Sequence, residues 1–232
     1  MQVQLLISLT ESFNGSAWTE TGDLNTARWL FQGSGTATNA LGFGGQTAPN
    51  PITAATEAFD GTSWTEVNDL GTGVAESAGI GSGTLALTAG GQTPSYTNIS
   101  QEWSFSGIQP TDPAAGYANA IVGDFYYNST TGQFKNIGAG GAPIGSWASG
   151  GALNTAKGYA AGAGTTNSAI LSIGGYSTAA LAEVESYDGS AWTEIADLNT
   201  ARYMRGGAGI QTAALSWGGI PATADTESWN GS

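Results

Sequence analysis

The chain has no cysteine and no histidine, and only 5 of its 232 residues are Lys or Arg. The first two absences exclude disulfides, thiolate nucleophiles, Cys/His zinc sites, Ser-His-Asp triads and His-ligated haem. The shortage of cations, set against 18 acidic residues and a formal charge of −13, removes the basic footprint that nucleic acid requires. Charged residues are only 10% of the chain, so it is no polyelectrolyte either. No apolar run approaches the roughly 18 residues of a membrane-spanning helix. The apolar stretch Val3-Gln4-Leu5-Leu6-Ile7-Ser8-Leu9 follows no positive charge, and its alternation reads as a strand rather than a leader or anchor. Neither nucleic acid nor membrane insertion is expected, and no cofactor. The lack of cysteine suits an oxidising exterior without fixing a compartment.

What the chain has in abundance is glycine and tryptophan, 37 and 8 residues, within a composition that is 10% aromatic. These residues recur in register. Thr10-Glu11-Ser12-Phe13-Asn14-Gly15-Ser16-Ala17-Trp18-Thr19-Glu20 returns as Thr56-Glu57-Ala58-Phe59-Asp60-Gly61-Thr62-Ser63-Trp64-Thr65-Glu66, and again as Glu185-Ser186-Tyr187-Asp188-Gly189-Ser190-Ala191-Trp192-Thr193-Glu194. Asp23-Leu24-Asn25-Thr26-Ala27-Arg28 recurs as Asp197-Leu198-Asn199-Thr200-Ala201-Arg202, and more loosely as Ala152-Leu153-Asn154-Thr155-Ala156-Lys157. The repeated tryptophans at 18, 64, 147 and 192 are spaced by 46, 83 and 45. A period of ~45 residues marks an array of supersecondary units, and the 83 reads as two periods, one of them lacking its tryptophan.

Each unit reads as four strands. Asp60-Gly61, Asn14-Gly15, Asp188-Gly189 and Asn230-Gly231 are hairpin signals, because glycine accepts the positive φ such turns need. Double glycines at 44–45, 90–91, 174–175 and 218–219 end the second strands. Small residues such as Gly206-Gly207-Ala208-Gly209 fill the first strands, as inner strands crowded about an axis would require. The expected fold is therefore an all-β, single-domain β-propeller over residues 1–232. First strands starting near Arg28, Val74, Ala115, Lys157 and Arg202 make five four-stranded blades, with a divergent one at about 103–153. Closure is expected by pairing of the N- and C-terminal segments, residues 10–24 beside 203–219, which leaves no open edge. Thr226-Glu227-Ser228-Trp229 competes for the same third-strand place as Thr10-Glu11-Ser12-Phe13.

The run of Gly44-Gly45, Glu57-Ala58-Phe59-Asp60-Gly61 and Trp64, repeated as Gly174-Gly175, Glu185-Ser186-Tyr187-Asp188-Gly189 and Trp192, resembles the kelch-type repeat. Kelch-type propellers that act as oxidases hold copper through His and a Cys-modified Tyr, and this chain has neither His nor Cys. The wording Asp-Leu-Asn-Thr-Ala-Arg-[Trp/Tyr] and Gln211-Thr212-Ala213-Ala214-Leu215, with Gly123-Asp124-Phe125-Tyr126-Tyr127-Asn128-Ser129-Thr130-Thr131-Gly132-Gln133-Phe134, resembles repeats of marine bacteriophage tail-fibre and virion proteins. That resemblance implies a virion or extracellular setting.

Two sets of residues are candidates for ligand contact. Arg28, Lys157 and Arg202 are three of the five cations and share one repeat position. They read either as a cationic collar for an acidic glycan or as one structural pair, with a carboxylate or with loop carbonyls, in each blade. Tyr96 and Tyr176 lie in the connections after second strands, expected on the same rim, and Tyr126 and Tyr127 lie in the divergent segment. Aromatic faces on a variable loop surface suit sugar stacking. The repeated tryptophans read as inter-blade packing, and Asp60 and Asp188 as turn formers rather than calcium ligands. The functional expectation is a non-enzymatic adhesin of a cell-surface glycan. The alternative is a structural component that assembles with other virion proteins or with copies of itself.

Overall fold

The computed structural model describes residues 8–108, 125–128, 133–136 and 143–231. A hairpin comes first, β1 (Glu11–Phe13) and β2 (Trp18–Glu20). The first blade follows as β3 (Gln32–Thr36), β4 (Asn39–Phe43), β5 (Thr56–Phe59) and β6 (Trp64–Val67). The second begins with β7 (Ala78–Gly81), β8 (Leu85–Ala89) and β9 (Ser100–Ile108). It is interrupted by the hairpin β10 (Phe125–Asn128) and β11 (Gln133–Asn136), and is completed by β12 (Pro143–Ser149). The third is β13 (Ala161–Thr166), β14 (Ala169–Tyr176), β15 (Ala180–Tyr187) and β16 (Trp192–Glu194). The fourth has three strands, β17 (Gly206–Ile210), β18 (Ala213–Trp217) and β19 (Thr226–Trp229). All ladders are antiparallel and no helix occurs among the described residues.

The fold is the expected all-β propeller arrangement of small antiparallel sheets, but with four blades rather than five. The extra blade was inferred from the interval of 83 between Trp64 and Trp147. Strand pairing gives that interval a different meaning. Trp147 lies across from Trp103, as Trp64 lies across from Phe59 and Trp192 from Tyr187. It is thus the fourth-strand tryptophan of the second blade. The interval is one repeat plus a segment, residues 109–142, placed between the third and fourth strands; the fifth start near Ala115 falls outside the described residues.

Closure also differs. β18 pairs with β17 and β19, whereas β1 pairs with β2, so the C-terminal copy takes the third-strand place. The N-terminal hairpin packs instead on the first blade: Trp64 Nε1 donates to Thr10 Oγ1 at 3.0 Å and Gly22 N–H to the Thr62 carbonyl at 3.0 Å.

The core consists of the layers between blades, as expected where sheets pack face to face. Leu41, Phe43 and Leu70 of the first blade meet Ala86 and Trp103 of the second. Ile80 and Leu87 meet Ile170, Tyr187 and Trp192. Leu171, Ile173 and Val184 meet Ala214, with Trp229 against them. Near the axis a second set of links is made by backbone. Glu76 N–H donates to Leu30 O at 3.1 Å, Tyr159 N–H to Glu76 O at 2.8 Å and Met204 N–H to Tyr159 O at 3.1 Å. All four residues have φ between 52° and 59°, so each blade enters the axis through one left-handed residue.

Candidate functional site

Arg28, Lys157 and Arg202 lie in the links that enter β3, β13 and β17, and are only 3%, 0% and 0% exposed. Each meets the glutamate of its own blade's third strand. Arg28 Nη2 is 2.9 Å from Glu57 Oε1, Lys157 Nζ is 2.8 Å from Glu185 Oε1, and Arg202 pairs with Glu227 Oε1. The second carboxylate oxygen accepts from an asparagine three residues before the cation. Asn25 donates N–H and Nδ2–H to Glu57 Oε2 at 2.7 and 2.9 Å, Asn154 to Glu185 Oε2 at 2.7 and 2.9 Å, and Asn199 to Glu227 Oε2 at 2.7 and 2.7 Å. Burial lowers the Arg28 pKa against the attraction of Glu57. At Glu227 burial opposes ionisation, but the Asn199 donors and Arg202 outweigh it and hold the carboxyl below its usual value. These buried pairs pin link to sheet and present no cationic collar to a ligand.

Sequence reasoning missed the exception. In the second blade the register places Val74 where the others have Arg or Lys, Gln101 where they have Glu, and Gly71 where they have Asn. Gln101 takes over the pin as a neutral amide: its Oε1 accepts from Thr72 N–H at 3.0 Å, and its Nε2 donates to the Thr72 carbonyl at 2.9 Å. A buried charge without its partner is far costlier than a neutral replacement of both, which explains why cation and carboxylate are absent together.

The repeated aspartates are turn formers. Asp60 Oδ1 accepts from Thr62 and Ser63 N–H at 2.8 Å each, and Asp188 Oδ1 from Ser190 and Ala191 N–H at 2.8 and 2.9 Å. These backbone bonds, that from Ser63 foremost at Asp60 and that from Ala191 at Asp188, hold both carboxyls below the usual aspartate value.

Tyr96 and Tyr176 do converge, with ring centroids 5.9 Å apart. Tyr159 and Tyr203, from the links into β13 and β17, join them: Tyr96–Tyr159 is 6.4 Å, Tyr159–Tyr203 is 6.1 Å and Tyr176–Tyr203 is 4.9 Å. The four half-buried rings thus come from three blades. Neither link tyrosine was singled out by the sequence. The available signal was their place one or two residues beyond Lys157 and Arg202, where the chain turns toward the axis.

Beside the cluster is a cavity of about 300 Å³, lined among others by Leu30, Gln32, Glu76, Ser77, Tyr159 and Arg205. Glu76 is buried and its Oε2 has no hydrogen-bond partner among the described residues. Burial, followed by the hydrogen bond and charge of Glu76, raises the Tyr159 pKa well above the usual phenol value. Burial, with Arg202 nearby, brings Arg205 down to about 10. Tyr126 and Tyr127 lie on β10, paired with β11, and their side chains fall outside the described residues.

No family model matches the chain, and no curated protein matches it.

Proposed function

We propose that this protein is a non-enzymatic binding module that recognises a cell-surface glycan through the tyrosine-rimmed axial face, in a virion-associated or otherwise extracellular setting. The observation that carries this reading is the convergence of Tyr96, Tyr159, Tyr176 and Tyr203 beside a cavity whose wall holds an unpartnered carboxylate oxygen of Glu76. A tyrosine offers an apolar face for the C–H side of a sugar ring and a hydroxyl for its rim. The Glu76 oxygen would accept from a sugar hydroxyl, and rings fixed by mutual contact lose little freedom on binding. The resemblance to kelch-type and phage-fibre repeats supports the setting. Arg28, Lys157 and Arg202 are buried in ion pairs, so the cation left to meet a glycan at this face is Arg205, which lines the cavity and whose guanidinium has no hydrogen-bond partner among the described residues.

A glycan array with the full chain, followed by titration of the best ligand by tyrosine and tryptophan fluorescence, tests the proposal. Tyr96→Ala with Tyr176→Ala should weaken binding at least about fivefold, since each aromatic contact is worth about 0.5–1.5 kcal/mol. Because Tyr96 and Tyr176 also contact Tyr159 and Tyr203, the urea midpoint should fall, so binding is compared without denaturant, where circular dichroism shows both proteins folded. No glycan bound, or a hit indifferent to both substitutions, defeats the reading.

A further inference from the structure

The three interfaces between consecutive blades share one construction. The second strand of each blade lays a leucine on the next blade: Leu41, Leu87 and Leu171 are 1%, 0% and 0% exposed. The glycine pair ending that strand meets the link into the next blade. Gly45, Gly91 and Gly175 donate N–H to the carbonyls of Val74, Lys157 and Arg202 at 2.7, 2.7 and 3.1 Å. A Cβ built on Gly44, Gly90 or Gly174 would come within 2.4, 2.3 and 2.8 Å of those same oxygens. The fourth blade repeats these residues with no described residue packed over them. Leu215 is 47% exposed, Trp217 42%, and a Cβ on Gly218 would meet no atom within 4 Å.

The first blade carries the other half of the interface, also uncovered by the described residues. On the inner strands a Cβ at Gly79, Gly162 or Gly207 would strike a side chain of the preceding blade: Gln32 at 2.5 Å, Ile80 at 2.1 Å and Ala161 at 3.0 Å. At Gly33, in the same register, it would meet only its own blade's Leu41 carbonyl, at 3.2 Å. Ala40 stays partly exposed where its counterparts Ala86, Ile170 and Ala214 are buried. The last blade has first, second and third strands, and the β1–β2 hairpin is a third and fourth strand. That hairpin lies against the first blade as the outer half of a preceding blade would: Trp64 Nε1 reaches Thr10 Oγ1 at 3.0 Å just as Trp147 Nε1 reaches Thr56 Oγ1 at 3.1 Å.

We infer that the fourth blade of one copy docks on the first blade of a second copy, head to tail. The interface continues one that the chain already builds three times, with Leu215, Trp217 and the Gly218–Gly219 pair covered by the partner's Ala40, Gly33 and the link through Arg28. In the docked pair the incoming β1 takes the place of β19 beside β18, and β2 lies outside it as a fourth strand. The exchange keeps the chemistry, because Thr10-Glu11-Ser12-Phe13 has the same Thr-Glu-Ser-aromatic order as Thr226-Glu227-Ser228-Trp229. Glu11 then faces Arg202 where Glu227 did. Because the two faces differ, the contact is heterologous and each docked copy presents a fresh face at either end.

Sedimentation of the full chain over a range of concentrations reads the association. The wild type should shift to multiples of the single-chain mass. Leu215→Glu and Ala40→Glu, at exposed and partly exposed positions, should each sediment as one chain with an unchanged urea midpoint. Leu215→Ser serves in place of Leu215→Glu should the latter not fold. Mixing the two variants should give a two-chain species and nothing larger, since each retains the face the other has lost. A wild type that stays single-chain at the highest soluble concentration overturns the inference, as does a variant that associates like the wild type or a mixture that forms no dimer. Glycan binding is scored separately on the single-chain variants, so failure of either proposal leaves the other standing.

Discussion

The second blade and the other three solve one problem with different chemistry. Wherever a link must be fastened to the third strand, blades one, three and four bury a cation against a glutamate and satisfy the remaining carboxylate oxygen with asparagine. The second blade makes the same fastening with one amide, Gln101, and leaves an apolar Val74 in the cation's place. All these sites are buried or nearly so, and a neutral pair of hydrogen bonds does there what an ion pair does. The comparison teaches that the unit of change is the pair. A link cation and a strand carboxylate stay together or go together, because desolvating one charge alone is not repaid.

The hardest test of that statement is to break one pair from one side. Glu185→Gln leaves Lys157 buried opposite a neutral amide and should destabilise by about 3–5 kcal/mol, read as a fall in the urea midpoint. The double variant Lys157→Met with Glu185→Gln, which copies the second blade's neutrality, should recover most of that loss. A double variant no more stable than Glu185→Gln alone would show that the charges contribute more than mutual compensation.

The converse substitution places a charge where the comparison says none belongs. Gln101→Glu puts a carboxylate where Val74 stands in the cation's place, with no paired cation there among the described residues, and should cost roughly 2–3 kcal/mol at neutral pH, the scale of an uncompensated buried polar group. Burial raises the pKa of such a carboxyl, so the deficit should shrink as pH falls and the group protonates. Urea melts at pH 7 and pH 4.5 measure this, and an equal deficit at both would argue that shape rather than charge is at fault.

The smallest effect is the natural pH dependence of the charged blades. The folded Glu227 carboxyl lies below its unfolded value, so the folded state binds fewer protons near that value. Its contribution is therefore complete above the unfolded glutamate pKa of about 4.3 and is lost as pH falls through the folded value. Acid titration of stability should be steeper for the wild type than for Glu227→Gln. Coincident slopes would remove Glu227 from the account of acid sensitivity.

Much of the architecture was legible because it is local. Hairpin turns at Asp60-Gly61 and Asp188-Gly189, glycine pairs closing second strands, and the facing of Phe59 on Trp64 or Tyr187 on Trp192 are all set within one repeat. The register of Arg28, Lys157 and Arg202 was legible too, though not whether those side chains faced a ligand or a carboxylate. Burial depends on what the next blade covers, and each cation lies 25 to 29 residues from its glutamate. That Tyr96 and Tyr176 share one side was expected from topology, but the contact of their rings was not. Nor were Tyr159 and Tyr203, since a ring pointing toward an axis looks in sequence like any other aromatic.

Sequence alone determined the repeat: its strands, its turns and which residue types share a position, because strand alternation and turn chemistry act over a few residues. Tertiary structure decided how the repeats are counted and joined. An interval of 83 is compatible with two units or with one interrupted unit, and only the ladder partner of Trp147 distinguishes them. Likewise Thr10-Glu11-Ser12-Phe13 and Thr226-Glu227-Ser228-Trp229 are near copies, equally suited to sit beside β18. Which one does is settled by chain connectivity and by the faces already covered, and no spacing of residues encodes either.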